Sequence, residues 1–193
     1  MQTSCTAQLR AAIAPATARP VTVFRHDESR CGVLTVRRRR RTARGVQPVG
    51  TIQHRDHWLD VYGAVAPTTG ESVFVEMAHL TRAPFQGFVD ELAKAFPDSL
   101  NLLVLDRSGA HFAQAVELPP NVRLVPLPPA SPELNPIERV WRDLKDHLAW
   151  RQFTNLDALE TYVAEVLCAY DAATLRSLTS YQYLVDAIHA LSA

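Results

Sequence analysis

The amino-acid sequence predicts an α/β fold, a mixed sheet with helices packed on both faces. Three observations predict it. Leu100–Leu105 (LNLLVL) is a near-continuous apolar run, the pattern of a strand buried on both sides in a parallel sheet. Trp58–Ala66 and Ser72–Met77 are strand-like runs joined by Pro67-Thr68-Thr69-Gly70, a turn sequence, so they predict an antiparallel hairpin. Phe85, Phe88, Val89, Leu92 and Phe96 recur at the spacing of one apolar helix face, and Pro97 ends that helix.

The other elements follow in chain order. Residues 1–20 are rich in Ala and Thr, with Pro15 and Pro20, and read as a loosely ordered lead-in or linker remnant. Residues 21–193 then form the folded domain. Val21–Phe24 is a β-branched and aromatic run that predicts a buried strand, and it ends in the polar cluster HDESR. Such a strand delivers a carboxylate, Asp27, at its C-terminal end. The basic run that follows, with the turn-rich TARGVQP, predicts an exposed excursion. Val122–Pro126 is a short strand leading into LPPASPELNP, whose prolines forbid regular structure. Asn135 and Pro136 predict a helix start, Asn as N-cap and Pro in the first turn. Ile137, Val140, Leu144 and Leu148 form its buried stripe. Another helix is predicted from Thr154, with Leu156, Leu159, Val163, Val166 and Leu167 on one face, and the last twenty residues predict one or two short helices.

Composition narrows the function. A chain of 193 residues with 47% hydrophobic and 21% charged residues is long and apolar enough to bury one core. The net charge is zero, but distribution matters more than the sum: Arg37, Arg38, Arg39, Arg40 and Arg41 concentrate five positive charges, with Arg44 just beyond. A charge run is by default a solvated surface, and near a phosphate-cutting site it also neutralises a DNA backbone. Cys5, Cys31 and Cys168 lack metal-site spacing and cannot all pair, which suits a reducing cytoplasm. No stretch approaches the roughly 18 apolar residues of a membrane span.

The acids carry the chemistry. In an open α/β sheet, reactive groups gather beyond the carboxyl ends of parallel strands. Asp27 and Asp106 both follow a predicted strand, so neighbouring strands would bring the two carboxylates together. Carboxylates held that close repel unless a cation neutralises them, and hard oxygen ligands select magnesium or manganese over zinc. Glu138 lies in the first turn of the helix behind the proline-rich loop, off its apolar stripe. Three carboxylates around two divalent cations would make a phosphoryl-transfer site. Each acid also has a plainer role: Asp27 as a turn acid beside Glu28, Asp106 as a strand terminator, and Glu138 as the partner of Asn135 in a capping box. Spacing leaves these alternatives open.

The segment LVLDRSGAHFAQAVELPPNVRLVPLPPASPELNPIERVWRDLK resembles the mariner-like superfamily of DDE transposases, its bacterial insertion-sequence branch in particular. FRHDESRCG is similar to that family's first-aspartate strand, and VYGAVAPTTGES to its hairpin. The resemblance covers roughly residues 20–170 and implies an RNase H-like fold with a five-stranded mixed sheet. It implies Asp27, Asp106 and Glu138 as catalytic metal ligands, with Glu138 preferred over Glu133, and two Mg2+ or Mn2+ ions as cofactors. It further implies DNA as partner, both transposon ends and target, and a homodimer in the active complex. Full-length relatives carry an N-terminal helix-turn-helix that this chain lacks, so a truncated, non-catalytic derivative that inhibits the intact enzyme is the alternative expectation. Beside the triad, His111 is a candidate phosphate-orienting or local hydrogen-bonding group, and Trp141 reads as helix-packing core. Arg142 and Lys145, one turn beyond Glu138, are candidates for DNA phosphate or plain surface charges.

Overall fold

The computed structural model describes residues 9–13, 19–38, 43–45, 50–53, 57–77, 82–106, 116–127 and 135–190. Among the described residues the principal elements are β1 (Val21–Gly32), β2 (Trp58–Val65), β3 (Ser72–Met77), α1 (Arg82–Ala95), β4 (Leu100–Leu105), β5 (Val122–Pro126), α2 (Ile137–His147), α3 (Leu156–Cys168), α4 (Ala172–Thr179) and α5 (Gln182–His189). The five strands form one mixed sheet in the order β3-β2-β1-β4-β5. β1, β4 and β5 run parallel, and β2 and β3 are antiparallel additions on the β1 side.

Side chains alternate across a strand, so each strand feeds both faces. Phe24, Tyr62, Ala64, Leu103 and Leu105 pack on one face against Phe85, Phe88, Val89 and Leu92 of α1. On the other face Val61 and Val65 meet Ile137, Val140, Trp141 and Leu144 of α2 with Leu159 and Val163 of α3. Val23, Leu102 and Val104 extend that face toward Ile188 of α5. Leu9, fully buried in the same cluster, packs part of the lead-in onto the domain. The stripe expected for α2 is buried in full, from Ile137 to Leu148.

Local chemistry sets the joints. At the β2–β3 turn Gly70 has φ +79°, a conformation that costs glycine little, and a Cβ there would meet the Ala172 carbonyl oxygen at 2.1 Å. Asn155 caps α3 through the Ala158 N–H, and Asp171 caps α4 through the Thr174 N–H. Buried Asn101 and Asn121 donate to the Phe96 carbonyl just beyond the C-terminus of α1, each at 3.0 Å, and tie that end to the sheet.

β1 differs from expectation. It does not stop at Phe24 but runs twelve residues, straight through HDESR. The reason is its second neighbour. The parallel ladder to β4 ends at Arg25, while the antiparallel ladder to β2 continues from Arg25 opposite Val65 to Gly32 opposite Trp58. Between β1 and the basic run the chain is anchored, whereas the described residues of the run itself, Arg37, Arg38 and 43–45, are exposed as expected. Val33 and Thr35 are buried, Val36 bridges to Ala149, and the Trp150 amide donates to the Val36 carbonyl at 3.0 Å.

Candidate active site

Asp27 sits inside a strand rather than at its end, yet at the place where the β4 ladder stops. Arg25 lies opposite Val104, the last paired position. Asp27 and Asp106 each lie two residues past that last pair, at corresponding positions on the two adjacent segments. By alternation Asp27 shares the face of Val23, and Asp106 that of Leu102 and Val104. This is the face covered by α2 to α5. Asp106 is exposed immediately after β4.

Glu138, exposed in the first turn of α2, brings its carboxyl group close to that of Asp27. Burial, then the negative charges of Glu138 and Glu28, push the Asp27 carboxyl up to about 7. The strand and the helix thus hold two acids together against their own repulsion, an arrangement that a cation relieves. Among the described residues no group of three or more His, Cys, Asp or Glu side chains is drawn tight enough to hold a metal ion. The pair brought together is Asp27 with Glu138, and Asp106 follows the end of the neighbouring strand β4.

Three residues fix this contact, and sequence reasoning missed what they do. Trp141 is in the core as expected, 2% exposed, but its indole also donates from Nε1 to Asp27 Oδ2 at 3.2 Å. Gly63 faces Asp27 across the β1–β2 ladder. A Cβ on Gly63 would stand 2.6 Å from the Trp141 ring, so the ring lies where a side chain would otherwise be. Asn135 is not the helix cap that its sequence suggests. Pro136 holds the N-cap position and no side chain caps α2, while Asn135 Nδ2 donates to the His26 carbonyl at 2.8 Å. Where the β4 ladder has ended, that strand carbonyl recruits the amide, so the capping box does not form. Spacing held one clue: Trp141 follows Glu138 at i+3, on the same side of the helix.

The remaining candidates are dispersed. Arg38 pairs with Asp146 near the C-terminus of α2, and its carbonyl accepts the Trp150 indole N–H at 3.0 Å. Arg37, Arg44 and Arg142 are exposed, and Lys145 is half-buried. Arg39, Arg40, Arg41, His111 and Glu133 lie outside the described residues.

Residues 22–160 match the DDE superfamily endonuclease family. A curated relative from Sinorhizobium fredii (strain NBRC 101917 / NGR234), the uncharacterized protein y4pE/y4sA, is 33% identical over 107 residues, 54% of this chain and 79% of that protein. Among solved structures, a pre-cleavage Mos1 transpososome aligns over 100% of this chain and 62% of its own, with TM-score 0.67 and 13% identity. A Mos1 transposase paired-end complex with left transposon end aligns over 92% and 56%, with TM-score 0.64 and 14% identity. The chain therefore spans about three fifths of the Mos1 chains it matches, and the likeness shows that its fold is RNase H-like. With the family match running over residues 22–160, most of the chain, the protein belongs to the DDE superfamily endonucleases.

Proposed function

We propose that residues 21–193 are the catalytic domain of a transposase that cuts and rejoins DNA at insertion-sequence ends. The observation that carries this reading is the proximity of Asp27 of β1 and Glu138 of α2, just past the point where the β1–β4 ladder ends and Asp106 follows β4. A site that gathers negative charge from carboxylates alone fits Mg2+ or Mn2+, and Mos1 paired-end complexes were crystallised with each. Divalent ions, two in this proposal, supply charge neutralisation and Lewis acidity at the phosphate when bound. Asp27, Asp106 and Glu138 would hold them.

The protein's own contribution is placement. Asp106 and Glu138 are exposed and would open the site to a duplex, while the Trp141 indole donates to Asp27. In the first step a water oxygen bonds to phosphorus and the P–O3′ bond breaks, leaving a 3′-hydroxyl. In the second, that hydroxyl oxygen bonds to a target phosphorus and the target's own P–O3′ bond breaks. No protein side chain enters a covalent bond. Arg37, Arg44, Arg142 and Lys145 would contact DNA backbone, with Arg39, Arg40 and Arg41 completing the basic run. Two copies of the chain, acting in the cytoplasm, would serve two transposon ends, in keeping with the paired-end assembly named for Mos1.

The test is nicking and joining of an end-containing duplex in magnesium or manganese. The wild type should release a 3′-hydroxyl and transfer it, and Asp106→Asn should do neither. A wild type that binds manganese and duplex without cutting would overturn the enzyme reading in favour of a non-catalytic derivative.

A further inference from the structure

The site described above accounts for three acids, but the residues gathered around the first of them make a device of their own. Trp141 lies in the core of the α2 face, 2% exposed, with its ring edge to Phe74 at 6.0 Å between centroids. For packing alone a phenyl ring would serve. The indole adds a donor, Nε1–H, and a buried indole N–H normally finds a partner. Here the partner is Asp27 Oδ2 at 3.2 Å, on a carboxylate that also accepts from the Glu28 backbone and lies beside Glu138. The ring reaches Asp27 because residue 63, opposite Asp27 on β2, has no side chain. A Cβ there would stand 2.6 and 2.9 Å from two atoms of the indole, closer than real Cβ contacts.

Two further bonds pin the same spot. His26 Nδ1 bonds the Gly63 carbonyl oxygen at 2.8 Å, and Asn135 Nδ2 donates to the His26 carbonyl at 2.8 Å. The strand carrying Asp27, the strand beside it and the start of α2 are therefore fastened within one residue of Asp27. Glu138 lies between the two attachments of α2 to this spot, Asn135 before it and Trp141 after it. Its height over Asp27 is set by both.

We propose that Trp141 is a positioning residue for Asp27, its indole N–H fixing the carboxylate for a divalent cation, and that Gly63 is the residue that lets it reach. The proposal rests on the metal-site reading above. Outer groups that orient a metal ligand by hydrogen bonding are commonly worth about tenfold to a hundredfold in metal affinity. A residue that only fills the core would change the melting temperature and leave metal affinity alone.

The experiment is a manganese titration followed by melting temperature, on the full chain, for wild type, Trp141→Phe and Gly63→Ala. Trp141→Phe keeps an aromatic ring and removes the N–H, whereas Gly63→Ala keeps the N–H and displaces the ring. Both should shift the half-saturating manganese concentration upward by about tenfold or more. Trp141→Phe should melt close to the wild type without metal. Equal half-saturation in wild type and Trp141→Phe would reduce Trp141 to packing and overturn the proposal. A wild type unmoved by manganese would instead overturn the metal-site reading, and this inference with it. Should the variants fail to fold, the wild type still decides. Of its three indole N–H signals in a proton–nitrogen spectrum, assigned with Trp58→Phe and Trp150→Phe, the one from Trp141 should shift on magnesium saturation. A Trp141 signal that stays in place would contradict the proposal.

Discussion

At the residue scale, a group away from the proposed site is also held against its charge. Glu76 lies on β3, half-buried, with Oε1 unpartnered among the described residues. Burial, and then the charge of Glu160 on α3, push its carboxyl up to about 7. A folded-state value above the unfolded one means the native protein binds this proton more tightly. The stability so contributed is present below about pH 4.5 and is lost as pH rises to about 7. Glu76→Gln removes the charge with little change of shape. Melting of the two proteins from about pH 5 to about pH 8 should show the variant gaining on the wild type, by on the order of 1 kcal/mol at the alkaline end. Parallel pH profiles would show that Glu76 is solvated after all. Such a residue is not legible in sequence, because an acid on an edge strand reads as solvent-facing until the packing of α3 is known.

At the element scale, the basic segment divides into charges already answered and charges left for a partner. Arg38 is paired with Asp146 and its backbone is tied to Trp150, whereas Arg37 and Arg44 are exposed. If the exposed pair contacts DNA, Arg37→Gln with Arg44→Gln should weaken binding alike for all duplexes. The dependence of log affinity on log salt should flatten by about 0.9 per lost contact. Arg38→Gln should flatten it less. An unchanged slope in the double variant would return these arginines to a solvated surface. The elements themselves were readable wherever one face or one stripe decides burial: Leu100–Leu105, the Ser72–Met77 hairpin arm, and the Ile137 to Leu148 stripe stand where periodicity puts them. β1 was not readable past Phe24, because HDESR carries no apolar alternation and is held as strand by β2, a neighbour that only the fold supplies. Asn135 misled for a related reason. Its spacing to Glu138 matches a capping box, but a strand carbonyl more than a hundred residues away in sequence takes the amide instead.

At the scale of the whole molecule, the sheet order brings β1 and β4 together from opposite ends of a hairpin and a helix, and the proposed site depends on that adjacency. Two of the acids were legible as carboxylates following apolar runs, and the third through its proline-stiffened helix start. Their mutual support was not, since an indole N–H and a missing Cβ leave no mark on periodicity. The central claim, that Asp27, Asp106 and Glu138 form one working cation site, is tested most directly by melting the wild type and Asp106→Asn with and without manganese. Removing one of several clustered negative charges should leave the metal-free melting temperature unchanged or slightly higher. Manganese should then raise the melting temperature of the wild type and do little for the variant, because a ligand stabilises only the state that binds it. Equal stabilisation of both proteins by manganese, or of neither, would contradict the account.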